Sequence, residues 1–281
     1  MLKALLLLRL LRAWGEVDMA EDEQRLLDRI RSASLEDQSD ELRQEILADT
    51  TPIPVFGSYQ VSQIVSIALN PSSNEFPLKK SSRRLVHLAD LGLPTDYYQR
   101  GLDSMSESQA KKILEQCVQY FENNSYKWFD TAAMALKIGF DASFYKKDET
   151  KLRACHTDLF PWATRAFSTL DKGLQQKFKR ENQAFLRWFL SREIVTSVVI
   201  LGESSWKELI NEFEFEAAHR EQPEIDEAPV FECGTFTIGS VSKSYFYSSK
   251  GPSAWGSDLY KREIHEAFGE FIKNTQGRFG P

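Results

Sequence analysis

The sequence predicts an α/β fold with a mostly parallel central sheet. Short aliphatic runs near 62–69 and 195–201 stop abruptly at Asn70-Pro71 and Gly202, as buried strands feeding turns do. Helical periodicity fills the stretches between such runs, and strands alternating with helices argue for parallel pairing. No internal repeat, low-complexity tract or Pro/Gly-rich linker interrupts the chain of 281 residues, so one large domain is expected at 50–281.

The elements follow in order. Helices are expected at roughly 20–47, then the first strand near 62–69 and a helix or loop near 80–92. Further helices are expected at 106–122 and 124–138, with Tyr120, Phe121, Trp128, Phe129 and Met134 as their core stripe. A strand near 152–157 opens onto His156-Thr157-Asp158, followed by a helix near 171–191. The remainder reads as strand 195–201, helix 204–214, strands near 229–238 and 242–247, and a closing helix at 257–274.

Residues 1–49 form a helical, acidic N-terminal extension. Met1–Trp14 holds an apolar run broken by Arg9 and Arg12, too short to span a bilayer and without a small-residue cleavage site. It reads as an amphipathic lead-in helix, or as sequence upstream of a usual start at Met19. Glu16–Asp49 carries twelve acidic residues against four basic ones, so a net charge of −6 comes from this appendage and the body is near neutral. Apolar content of 42% and charged content of 27% are ordinary for a soluble, cytoplasmic protein. Cys117, Cys155 and Cys233 are few, odd in number and widely spaced, which argues for a reducing compartment and against a disulfide framework or a four-cysteine cluster. Cys155-His156 lacks partners at zinc-ligand spacing, and no glycine-rich phosphate loop occurs, so neither a metal nor a nucleotide cofactor is expected.

Leu69-Asn70-Pro71-Ser72, preceded by a hydrophobic strand and followed by Glu75-Phe76, resembles motif A of the uracil-DNA glycosylase superfamily in its Asn-bearing branches. The resemblance continues in order over roughly 50–275. Pro52–Gly57 precedes the strand, Cys155–Trp162 is similar to the strand and loop that read the base, and Ser244–Gly256 stands in the place of motif B. It implies a three-layer α/β/α fold, duplex DNA as partner, no membrane, and a catalytic domain that hydrolyses the N-glycosidic bond of a flipped base. Ser248 or Ser249 stands where most relatives carry a His that stabilises the departing base, and a Ser offers only a neutral hydrogen bond there. Lys250 and the backbone N–H groups of Ser249–Ser253 are the nearest substitutes. No lysine sits in a recognisable lyase motif, which favours a monofunctional enzyme that leaves an abasic site, with Lys250 keeping a lyase side reaction open.

The residues then take provisional roles. Asn70 positions the attacking water, assisted by Pro71 or Ser72, or else forms an Asx turn that shapes the loop. Phe76 stacks on the base, or is core. Asp158 is an acceptor suited to the exocyclic amine of cytosine or adenine, or is an N-cap. His156 supplies a cation, or is a satisfied core residue; Trp162 and Trp255 wall the pocket or are buried. Lys79, Lys80, Arg83 and Arg84, interleaved with Ser81 and Ser82, hold DNA phosphates, or are a solvated helix start. Lys146, Lys147, Lys243 and Lys250 extend that footprint more weakly. An acceptor in the base loop and a motif B without His are unlike a housekeeping uracil remover. They resemble a glycosylase of bacterial antiviral defence, acting on glucosylated hydroxymethylcytosine in phage DNA, with Ser73, Asn74, Asn123, Asn124, Lys127 and Asp130 as sugar-facing groups. A uracil or damaged-base repair glycosylase, a catalytically inert DNA-binding module of the same fold, and a hydrolase of free nucleosides are the alternatives.

Overall fold

A computed structural model describes residues 20–31, 40–77, 84–102, 105–164, 170–225, 228–252 and 258–278, with the backbone alone at 40–42, 175–181 and 258–262. Lys79, Lys80, Arg83 and Trp255, and residues 1–19, lie outside the described residues. The protein is an α/β protein built on a seven-stranded mixed sheet that is mostly parallel.

The strands are β1 (Ile64–Ala68), β2 (Ala142–Ser143), β3 (Leu152–Asp158), β4 (Ser197–Leu201), β5 (Glu214–Glu221), β6 (Phe231–Ile238) and β7 (Val241–Ser248), in the spatial order β2-β3-β1-β4-β7-β6-β5. Pairs from β2 to β7 are parallel, and β7-β6-β5 is an antiparallel meander. Strand β4 (S-V-V-I-L) is buried along its whole length, as a central parallel strand covered on both faces must be. The chain lays β2 and β3 on one side of β1 and β4 on the other. That reversal opens a crevice at the carboxyl end of β1, where open α/β sheets bind ligands.

The helices are α1 (20–31), α2 (Asp40–Glu45), α3 (Glu107–Val118), α4 (Tyr120–Asn123), α5 (Lys127–Phe140), α6 (Lys172–Ser191), α7 (Glu203–Leu209) and α8 (Asp258–Thr275). They cover both faces of the sheet. Phe140 of α5 meets Phe246 of β7 edge-on at 5.1 Å, and Phe268 and Phe271 of α8 cover Phe231 of β6. On the other face Trp206 of α7 stacks on Tyr245 and Tyr247. Helix α3 starts at a capping box between Ser106 and Gln109 and buries Ala110, Ile113, Leu114 and Cys117, one stripe at helical spacing.

Three expectations need correction. Met134 is 41% exposed, because the buried face of α5 runs through Phe129, Ala132, Ala133, Leu136 and Phe140 and leaves Met134 off that stripe. The expected helix 204–214 ends at Leu209, and the helix-forming residues of Glu214–Glu221 pair instead with β6; cross-strand pairing outweighs local propensity there. Lys243 belongs to no DNA footprint. Its ammonium is buried at the amino end of β7, where it donates to the carbonyls of Arg192 and Val195.

The acidic extension packs on the body at helix α1. Leu26, Leu27 and Ile30 belong to the same hydrophobic core as the sheet, and Arg29 lies over the Trp162 ring at 5.0 Å while donating to Asn182.

Candidate functional site

Beyond the strand ends the ladder continues into the loops. The amide of Leu159 donates to the Ala68 carbonyl (2.9 Å) and that of Phe160 to the Leu69 carbonyl (3.1 Å), which holds the Asn70 loop beside the loop after β3. Phe56 of the Pro52–Gly57 segment exchanges two backbone hydrogen bonds with His156, at 2.7 and 2.9 Å. On the far side the Gly202 amide donates to the Ser248 carbonyl, which ties the turn after β4 to the end of β7. Gly202 has φ +102°, a conformation that L side chains rarely adopt, so a side chain here would strain the turn. Together these loops enclose a cavity of about 780 Å³ at the carboxyl ends of β1, β3, β4 and β7.

One side of the cavity is formed by Leu69–Glu75. The Asn70 amide nitrogen donates to the Pro71 carbonyl (3.2 Å) and to Thr164 Oγ1 (3.3 Å). A carbonyl only accepts, so the group facing Pro71 is the NH2, and Asn70 Oδ1 is left as an acceptor at the cavity. The Ser72 hydroxyl accepts from the Asn74 amide, closing the short turn Ser73–Glu75. Asn74 Nδ2 reaches the Tyr126 hydroxyl at 3.4 Å.

The base of the cavity carries His156 and Asp158, both buried. His156 Nδ1 lies 2.7 Å from Ser66 Oγ and Nε2 lies 3.2 Å from Asp158 Oδ1. A carboxylate oxygen accepts, so Nε2 is the donor toward Asp158, and the Ser66 hydroxyl, which also reaches the Cys155 carbonyl at 3.5 Å, meets the ring at Nδ1. The Asp158 side chain is thus bonded to His156 rather than capping the following turn. Rings of Phe56, Trp128 and Phe129 pack around the imidazole at centroid distances of 5.6, 5.1 and 5.1 Å.

Ser249, Lys250 and Gly251 line the side opposite Asn70. Ser249 Oγ accepts from the Val230 amide at 2.8 Å. Ser248 is fully buried, donates to the Lys250 carbonyl at 2.8 Å, and does not line the cavity.

Other candidates fall elsewhere. Phe76 packs edge-on against His87 behind the wall, and Trp162 is buried under Arg29. Arg84 turns toward the cavity wall, its guanidinium 4.2 Å above the Tyr126 ring and 3.6 Å from Glu75. Of the sugar-facing groups Ser73 and Asn74 line the cavity, whereas Asn123, Asn124, Lys127 and Asp130 do not.

Several lining residues had been given no role at a site by the sequence, among them Glu75, Tyr126, Trp128 and Phe129. Trp128 and Phe129 were expected only as core, and Tyr126 completes the aromatic wall that Phe76 was expected to supply. Glu75 is 1% exposed and accepts from the Tyr120 hydroxyl at 2.5 Å. Burial pushes its carboxyl up to about 6, against the opposing pull of Tyr120 and Arg84, and the Asp158 carboxylate adds to the rise. The only signal in the sequence was a glutamate five positions after Asn70.

Among the described residues no cluster of three or more His, Cys, Asp or Glu side chains forms a metal site, and no helix is long and apolar enough to cross a membrane. No family model matches the chain, and none of the curated proteins searched matches it.

Proposed function

We propose that this chain is a monofunctional DNA glycosylase with a three-layer fold of the uracil-DNA glycosylase kind. In this reading it extrudes a modified base from duplex DNA and hydrolyses the N-glycosidic bond, leaving an abasic site. The substrate is a cytosine carrying a bulky 5-substituent, glucosylated hydroxymethylcytosine of phage DNA, and the role is antiviral defence. One observation carries the proposal. The three segments that resemble the superfamily motifs, at Asn70–Asn74, at His156/Asp158 and at Ser249–Gly251, line a single cavity at the strand ends.

The geometry suits the chemistry. Asn70 Oδ1 orients a water toward the anomeric carbon; it contributes position rather than proton abstraction, since an amide is a poor base. Asp158 offers an acceptor to an exocyclic amine, and Tyr126, Trp128 and Phe129 supply ring faces for a flipped base. A volume of about 780 Å³ is large for a base alone and has room for a sugar substituent. Ser249 and the adjoining backbone N–H groups stand nearest the departing base in place of a histidine.

Incubation with duplexes carrying uracil, hypoxanthine, hydroxymethylcytosine or its glucosylated form tests this, scoring abasic sites by alkaline cleavage and released bases by mass spectrometry. Release of the glucosylated base supports the proposal; release of uracil alone makes the protein a repair enzyme. A second reading, an inert module that binds modified DNA, draws on the buried Ser248 and the absence of a motif B histidine. Silence on all four duplexes with retained binding favours it.

A further inference from the structure

We propose that Glu75 is a catalytic acid of this site: in its protonated form it donates to ring N3 of a flipped 4-aminopyrimidine, while Asp158 accepts from the 4-amino group. The inference rests on the glycosylase reading and deepens it by naming the edge that is read and the source of the proton.

Glu75 lies on the cavity wall contributed by the Asn70 loop, and Asp158 lies at its base. Glu75 Oε2 holds its protein partners, the Tyr120 hydroxyl at 2.5 Å and Arg84 Nη1 at 3.6 Å. No hydrogen bond to Oε1 occurs among the described residues, which leaves that oxygen for a ligand. The charged and titratable groups around Glu75 are Tyr120 of α4, Arg84 and Asp158 of β3; the first two favour the carboxylate and Asp158 the acid. Burial outweighs them and keeps a protonated fraction near neutral pH, where general acids operate best.

Complementarity then selects the base. Cytosine presents an acceptor at N3 beside a donor at its 4-amino group, so it needs one donor and one acceptor from the protein, in that order. A carboxylic acid beside a carboxylate supplies them. Uracil presents N3–H and a carbonyl, the opposite order, and meets a donor facing a donor.

The step balances. The Glu75 proton passes to N3, the C1′–N1 pair leaves with the base, and the base departs neutral as its N3–H tautomer. Water adds through its oxygen to C1′ and loses a proton, which returns to the Glu75 carboxylate through solvent. Protonation at N3 does the work that the motif B histidine does in the relatives this chain resembles, which accounts for a site able to dispense with it.

The test compares base release by the wild type, E75Q and Y120F on duplexes carrying glucosylated hydroxymethylcytosine, hydroxymethylcytosine and uracil, across about pH 5.5–8.5. Wild-type single-turnover rates on the amine-bearing bases should fall toward tenfold per unit once pH exceeds the Glu75 value. E75Q keeps shape and a neutral donor but no transferable proton. It should lose about 100-fold or more, with a flat profile and unchanged DNA affinity, and its preference for amine-bearing bases over uracil should shrink. Y120F leaves Glu75 in place but removes a hydrogen bond that favours the carboxylate, so its falling limb should move to higher pH. An E75Q rate within about threefold of wild type, or Y120F and wild-type profiles that coincide, overturns the role of Glu75 and leaves the glycosylase reading standing. A wild type that releases no base from any duplex overturns the glycosylase reading, and this inference with it.

Discussion

Asn70 and Glu75 sit on the same short loop but differ in how visible they were. Asn70 announced itself because Asn-Pro after an aliphatic run is a recognisable junction. Glu75 did not, because what makes it unusual is burial and two distant partners, Tyr120 and Arg84. On the proposed function Asn70→Ala removes the acceptor that orients water and leaves the basic residues at 79–84 in place. It should lower base release about 100-fold at unchanged DNA affinity, read by single-turnover kinetics beside a binding titration. Glu75 also predicts a stability effect. Its carboxyl is raised when folded, so it favours the folded state below the unfolded carboxylate range, and that advantage is lost as pH rises through about 6. The loss amounts to about 2 kcal/mol. E75Q should therefore flatten the fall in unfolding free energy between about pH 4 and about pH 8, measured by denaturant titration.

Among the elements, α5 and α8 approach closely through glycines. A Cβ built on Gly269 would meet Ile138 Cβ at 2.6 Å, and one on Gly139 would meet Ile272 at 2.6 Å, so each glycine seats an isoleucine of the facing helix. Gly269→Val should destabilise the protein by about 2–3 kcal/mol in chemical denaturation through overpacking, without altering the cavity chemistry. The strands β1, β3, β4 and β7 were legible because buried strands need continuous aliphatic runs bounded by turns. Strand β5 was not: Glu214–Glu221 is charged and largely exposed, as an edge strand should be, and that composition reads equally well as a polar helix. Likewise Trp128 and Phe129 were recognisable as apolar, but whether an apolar ring fills a core or walls a cavity depends on what the opposing loop leaves open.

At the scale of the molecule, charge distinguishes a DNA enzyme from a hydrolase of free nucleosides. The body is near neutral, so on the proposed function DNA affinity comes from a local basic surface, and Lys79 and Lys80, which follow the Asn70 loop in the sequence, are candidates. Replacing both with Ala should weaken duplex binding and make the slope of log affinity against log salt shallower by about 1.8. A salt dependence identical to wild type would remove these lysines from the footprint. Arg84 should contribute less to that slope, since its guanidinium is already engaged with Tyr126 and Glu75.

By itself the sequence determined the α/β class, the order of most strands and helices, and the identity of the Asn70 junction, because these follow from periodicity and turn chemistry along the chain. It also placed Asn70, Asp158 and Ser249 in three separate segments, with no means of measuring the space between them. Only the tertiary structure decided that these segments enclose one cavity, that Ser249 rather than Ser248 lines it, and that a buried carboxyl stands in its wall. The physical reason is that desolvation, hydrogen-bond partnership and cavity shape are set by residues far apart in the chain, as the Glu75–Tyr120 and Ser66–His156 contacts show.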